Sequence, residues 1–520
     1  MTSFDAIVIG AGHNGLTAAA MLAKRGYRTA IFEAASAAGG AARRGELQQG
    51  FAFSPLAHRA DRVHNDVVRE LELTRFGLKR RASPMADIAL SEGGNHLVLR
   101  GLYGERIDGD ISQHELQNWQ ALRSQLFLHA GILRKIFEHV PPPLEQPSWR
   151  DAMRLAKTGL SLRLLGAAQM REFMRMILMP VADVANEQLS DDRLKGLLAF
   201  DATLGIHLGP RSPTSLLGLY YRLASSLGAG SAAGTMIAGG AAALIEAMEK
   251  SARNSGAQIF VNSPVGRILV ERGKSAGIVL ANGEEFRAPL VISAINPATT
   301  FLNLVGPAHL DTGFVRAIRN IRMKGDASKL NLVLDRVPAI SGLAADDFSG
   351  RFVIAPTSDH VERAFNPAKY GELPQEPVME IMLPSLSDPD AAKSGACAMS
   401  VILQHTPYDL RQGWDRGKPL LLESALTLLE RHIPGLRKSI IASELLSPPD
   451  IEARYLMPGG HWHHGELQAD QMAMMRPVHA ASRYATPIEG LYLCGAGSHP
   501  GGGLTGLPGL NAARTILRGA

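Results

Sequence analysis

Three glycines and one acid carry the sharpest chemical signal in this 520-residue chain. Gly10, Gly12 and Gly15 fall in "GAGHNG", and Glu33 closes the run "YRTAIFE". Residues of these types at this spacing suit the holding of a dinucleotide. Gly10 permits a tight turn, Gly12 keeps the backbone bare where a pyrophosphate would lie, and Gly15 lets a helix approach a strand. Unpaired N–H groups at a helix start attract phosphate, and the macrodipole adds to that attraction. Glu33 stands 18 residues beyond Gly15, a spacing at which a carboxylate reaches ribose hydroxyls and repels a 2′-phosphate. His13 sits inside the turn, where it either touches a phosphate or is an ordinary solvated side chain.

The elements that must position these residues are legible on either side. "AIVIG" reads as a strand buried on both faces. "LTAAAMLAKRG" reads as a helix closed by Gly26, and "YRTAIFE" as a second strand. Gly501, Gly503 and Gly506 in "GGGLTG" repeat the glycine spacing, but no strand feeds directly into them, so a second nucleotide fold is not expected there.

A second chemical cluster is "GGHWHHGE", with His461, His463, His464 and Glu466. Such groups suit proton transfer. No distant Cys or acid completes a metal set, so no metal is expected. A structural role for this loop beside a cofactor is an equal reading. His207, Arg211 and Tyr220 are weaker candidates for lining a cavity, and Tyr220 and Tyr221 are expected in the core.

Composition bounds the answer. Hydrophobic residues make up 46% and charged residues 20%, which fits a folded chain of two or more domains. The net charge of +5 is mild, and no dense Lys/Arg block is present, so no nucleic-acid partner is expected. Cys397 and Cys494 form no C-x-x-C, which excludes a redox dithiol and suits a reducing, cytoplasmic compartment. With a strand-like run beginning at Phe4, no secretory signal is expected. The uncharged stretch from Leu223 to Ile245 is built of Gly, Ala and Ser, which gain little from lipid, so no span is expected. In residues 151–180, Arg154, Lys157, Arg163, Arg171 and Arg175 alternate with Leu and Met. This reads as a surface helix with its stripe inward, or as an interfacial helix in peripheral contact with a membrane.

Further glycine-rich stretches separate this chain from ordinary NAD dehydrogenases. Gly39 and Gly40 lie just past the acid, and "GLYLCGAGSHPGGGLTGLPGLNAARTIL" (490–517) is a strand, a glycine loop and a helix. With "SDDRLKGLLAFDATLGIHLGPRSPTS" (190–215), "GGAAALIEAMEKSARNSGAQIFVNSPVGRILVERGKSAGIVLANGEEF" (239–286) and "MPGGHWHHGELQADQMAMMRPVHAASRYATPIEGLYLCGAGSHPGGG" (457–503), the chain resembles the phytoene desaturase-like FAD oxidoreductases. Within them it is most like the branch described as pyridine nucleotide-disulfide oxidoreductase domain-containing.

The resemblance implies an α/β fold, with a Rossmann-type FAD-binding domain of glutathione reductase/amine oxidase kind. A mixed-sheet-plus-helix substrate domain is inserted into it. The expected FAD-binding domain is 1–90, 230–300 and 450–520, and the substrate domain is 91–229 and 301–449. "KLNLVLD" (329–335) and "VMEIMLP" (378–384) alternate like strands of that inserted sheet. By resemblance, Gly10, Gly12, Gly15 and Glu33 hold the ADP half of FAD, with His13 beside them. Gly39, Gly40 and Ala41 lie near the pyrophosphate, and Val265 meets the adenine. Gly495, Gly503 and Leu504 face the ribityl chain and ring. His464 is the first-ranked catalytic candidate and His499 the second.

The implied activity is removal of a hydride from a hydrophobic, polyene- or lipid-like substrate onto flavin N5. Oxygen, a quinone or NAD(P) would then accept the electrons. Three alternatives stay open: a flavin oxidase of small amines or aromatics, a redox-neutral double-bond isomerase, and a non-enzymatic prenyl- or lipid-binding protein like the Rab GDP-dissociation inhibitors.

Overall fold

Ala6–Ile9 is apolar at every position and buried at every position, as a strand covered by layers on both faces must be. In the computed structural model, which describes residues 3–57, 59–82, 84–143, 149–388, 391–392 and 395–519, it is the central strand of a five-stranded sheet. The order across that sheet is Leu491–Leu493, Leu290–Ser293, Ala6–Ile9, Thr29–Phe32 and Gln258–Phe260, and every pairing is parallel. Ala6 pairs with Leu290 on one side and Thr29 on the other. This register brings the C-terminal glycine loop and the first glycine turn to the same end of the sheet.

One face is covered by the helices His13–Ala23, Gly240–Asn254 and Leu507–Gly519, through Leu16, Leu244 and Leu510. The other face packs Ile7, Ile9 and Phe32 against an antiparallel meander of Val265–Glu271, Lys274–Leu280 and Glu285–Arg287.

The second sheet has eight strands, in the order Ile440–Leu446, Ala327–Leu334, Cys397–Gln404, Val378–Met382, Arg351–Ile354, Asp87–Ala89, Leu97–Arg100 and Arg106–Asp108. All neighbours are antiparallel except Arg351–Ile354 beside Asp87–Ala89. The chain thus enters this sheet just before residue 90.

The two runs expected to alternate do form strands here, yet neither of their faces meets water. On one face Leu330, Leu332, Met379, Ile381 and Val401 pack on the helix Trp414–His432. The opposite face presents Asp87, Lys329, Asn331, Arg351, Glu380 and Ser400, all buried. The helices Gln113–Phe137, Asp192–Thr203 and Leu216–Gly228 build an apolar layer on that side of the sheet.

The basic and apolar stretch forms two helices, Trp149–Leu164 and Gly166–Met176. Phe173 and Met176 point inward, but Leu164 is 77% exposed and Met174 57%. The expected inward stripe is therefore only partly realised. The side chain of Arg154 lies outside the described residues. Among the described residues no helix is long and apolar enough to cross a membrane.

Candidate active site

The first glycine turn ends at a helix that lacks its own cap. Gly12 is the N-cap, in an extended conformation, with no side-chain hydrogen bond and no acid in the first turn. The open N–H donors are therefore free for an external acceptor. A Cβ built on Gly12 would meet nothing within 4 Å, whereas one on Gly15 would stand 2.0 Å from the carbonyl oxygen of Gly10. Gly15 is needed by the protein itself; Gly12 opens a space that no atom of the protein fills.

That space is a cleft of about 240 Å³. Gly10, Gly12, His13, Gly15, Glu33, Gly40, Ala41 and Val265 all line it, so every residue expected at the ADP half or the adenine converges there. Gly39 stands just outside and donates its N–H to the Ala11 carbonyl at 2.9 Å, which fixes the second glycine surface against the first. Glu33 accepts the N–H of Ala11 at 2.7 Å and of Ala35 at 2.9 Å. Glu33 lines the cleft. His13 is half-buried on the cleft wall rather than solvated. Buried polar atoms with no partner among the described residues, Asn14 Oδ1, His13 Nε2 and His464 Nδ1, belong to the same wall. Uncapped amides, an unfilled glycine space, a carboxylate and orphaned polar atoms together fit FAD.

An inner chamber of about 170 Å³ adjoins the cleft, and His13, Ala41, Trp462 and Ala496 line both. Gly503 and Leu504, expected to face the ring, line the chamber. Gly495 does not line either space. A Cβ there would stand 2.5 Å from the Ala294 carbonyl oxygen, so this glycine lets the C-terminal loop pack on the sheet. His499 is fully buried, 3.3 Å from the Ala473 carbonyl through Nδ1, and lines neither space.

The histidine cluster divides three ways. His461 Nε2 lies 3.3 Å from Glu466 Oε1, inside the protein, without a hydrogen bond between them. His464 lines the cofactor cleft, and His463 lines the chamber. Burial, with His461 and Arg476 nearby, pushes His464 down to about 3 and His463 well below its ordinary value, so both imidazoles are neutral at pH 7. Arg476 holds this loop to the C-terminal glycine loop, donating to the carbonyls of Glu466 at 2.9 Å and Ala496 at 3.0 Å and also to that of His463. Among the described residues no group of three or more His, Cys, Asp and Glu could hold a metal ion.

The weaker candidates scatter. His207 lies 3.3 Å from Asp326, and Arg211 is an exposed partner of Asp359. Tyr220 bonds His129 at 2.7 Å in the core, and Tyr221 donates to the Gly502 carbonyl at 2.8 Å.

The sequence reading missed the most heavily charged wall. The polar face of the eight-stranded sheet meets the chamber at Glu380, joined by Arg59, Asp61, Arg62 and Arg222. Behind them Arg351 is bonded to Asp87 at 3.0 Å and also to Asp201 and Glu380. Burial pushes Lys329 down to about 7. The signal was present in K-L-N-L and V-M-E-I: polar residues alternating on strands whose apolar side is already covered.

Residues 15–362 match the family described as flavin containing amine oxidoreductase. The chain is 32% identical to mouse (Mus musculus) pyridine nucleotide-disulfide oxidoreductase domain-containing protein 2, over 99% of this chain and 93% of that one. It is 25% identical to the neurosporene-forming phytoene desaturase of Rhodobacter capsulatus, over 97% of this chain and 92% of that one. Among solved structures, a redesigned putrescine oxidase superposes with a TM-score of 0.63 at 14% identity, covering 100% of both chains.

Proposed function

The chain belongs to the flavin-containing amine oxidoreductase family, and from that premise we propose that it is a dehydrogenase or desaturase acting on a C–H bond of a hydrophobic, lipid- or polyene-like substrate. Bound FAD would accept the hydride at its N5 edge. The chain's own residues do the rest. The uncapped turn at Gly12 and the Glu33 carboxylate hold the nucleotide end. Leu56, Leu204, Ile402, Trp462 and Leu504 give the chamber an apolar side against which a hydrophobic body can pack. His463 is neutral and faces the chamber, where its imidazole can hydrogen-bond and orient a bound molecule; burial and the nearby cations that keep it neutral also make it a poor acceptor for the second proton that desaturation releases.

The single observation that carries this reading is the shared wall. His13, Ala41, Trp462 and Ala496 border both the cofactor cleft and the chamber, so a molecule in one lies against a molecule in the other. Anaerobic addition of candidate substrates to the FAD-loaded protein tests it. Bleaching of the flavin with formation of a new double bond is the expected result. Oxidation of small amines in place of hydrocarbons would overturn it, and so would double-bond migration without bleaching.

A bilayer is the proposed source of the substrate. The exposed Leu160, Leu164, Met174 and Leu178 stand among Lys157, Arg163, Arg171 and Arg175, an apolar and basic mixture that suits an anionic lipid surface.

A further inference from the structure

We propose that the inner chamber selects a substrate carrying a carboxylate, bound by Arg62 and Arg222, with its apolar body along Leu56, Leu204, Ile402 and Trp462. The inference rests on the chamber being the reaction chamber described above, and it narrows the substrate from any hydrophobic molecule to an acid.

The argument is one of unfilled hydrogen bonds. Among the described residues four arginines surround the chamber and its sheet wall: Arg59, Arg62, Arg222 and Arg351. Four carboxylates answer them: Asp61, Asp87, Asp201 and Glu380. Three of these four are bonded to Arg351. The fourth, Asp61, is bonded to Arg59 at 2.7 Å. Arg62 is left 3.8 Å from Asp61, and Arg222 3.9 Å from Asp201, both beyond hydrogen-bond reach. Among the described residues neither guanidinium donates a hydrogen bond, and Arg62 Nε is buried with no partner. Yet their side chains are only 19% and 14% exposed, so water supplies only part of what the protein withholds. Burial, and then the neighbouring Arg62, push the Arg222 guanidinium down to about 9, against the opposing pull of Asp201 and Glu380.

A buried guanidinium with unfilled donors is costly, and a ligand that accepts from those donors recovers that cost on binding. Guanidinium presents paired donors in a plane, which matches the two oxygens of a carboxylate. An ammonium ligand would add a further cation to this wall. A pure hydrocarbon would leave both guanidinium groups unmatched and strip them of remaining water. The apolar residues on the opposite side of the same chamber accept an acyl body, so one molecule satisfies both walls.

The test uses the FAD-loaded protein and three probes of one shape: hexanoate, hexylamine and hexanol. Binding is read twice, from the perturbation of the flavin spectrum and from calorimetry. Saturable binding of hexanoate alone is expected, weakened at least ~10-fold by Arg222→Gln and by Arg62→Gln. Arg222→Lys, which keeps the charge and loses the fork, should fall between the two. Equal or tighter binding of hexylamine or hexanol would overturn the proposal, as would unchanged hexanoate affinity in the Arg62→Gln, Arg222→Gln pair. Arg62→Gln removes a group that makes no hydrogen bond, so it stays informative if changes at 222 disturb the fold. A chain that takes up no FAD would refute the flavin reading, while calorimetry with hexanoate would still decide the fate of the arginine site.

Discussion

Alanine at position 12 should part FAD binding from folding. Gly12 has an ordinary negative φ of −68°, and a Cβ there would meet no protein atom within 4 Å. The fold has no objection to the extra methyl beyond a poorer N-cap, worth about 1 kcal/mol at most. The methyl would instead occupy the space reserved for the diphosphate. Displacing that group by the width of a methyl breaks at least one charge-assisted hydrogen bond from the turn, and such a bond is worth ~1.5–3 kcal/mol. FAD affinity should therefore drop ~10- to 100-fold, at 1.4 kcal/mol per decade. Gly15→Ala is the control with the opposite outcome. Its Cβ would lie 2.0 Å from the Gly10 carbonyl oxygen, so it should lower the stability of the chain even without cofactor. Urea melts of the cofactor-free variants and fluorescence titration with FAD read the two quantities separately. If Gly12→Ala kept the wild-type affinity, or unfolded as readily as Gly15→Ala, the reasoning about the turn would be refuted.

Three other perturbations follow from the buried charges and the exposed helices. Arg351→Met leaves Asp87, Asp201 and Glu380 without their shared cation and should cost ~3–5 kcal/mol in a denaturant melt; a loss under ~1 kcal/mol would mean the network is not charged as described. Lys329 is held near 7 in the folded chain, against ~10.4 when unfolded, so between those values the unfolded state binds the extra proton and stability rises with pH. The rise is up to ~1.4 kcal/mol per pH unit and should vanish in Lys329→Met, with equal slopes for the two proteins counting against it. Leu164→Ser with Met174→Ser alters two exposed side chains and should leave the melt within ~0.5 kcal/mol while weakening binding to anionic vesicles at least ~10-fold; unchanged sedimentation with vesicles would remove the membrane proposal.

The glycine turn was legible because its constraints are local. Gly10, Gly12, Gly15 and Glu33 lie within one strand–helix–strand unit, and each residue type has a steric or electrostatic reason to be there. The histidine loop was not, because His463 and His464 follow no helical or strand period that would say which way each points, and they point into different spaces. His499 and Gly495 lie on a loop whose path is set by packing against Ala473 and Ala294, which belong to other segments of the chain. The strand alternation around Lys329 and Glu380 was readable, yet alternation alone does not say whether the polar side meets water. Here that side is buried, and the residues left over became the charged wall of the chamber. The helices at 151–180 mislead in the opposite direction, since an apolar stripe at helical spacing does not guarantee a protein surface to receive it.

The most direct test of the account is a crystal structure of the chain with FAD. Density for the diphosphate against the amides that follow Gly12, with the ring edge at Gly503 and Leu504 opening on the arginine-walled chamber, is the expected result. A flavin ring that points away from that chamber, or density for FAD at any other place on the molecule, would contradict it.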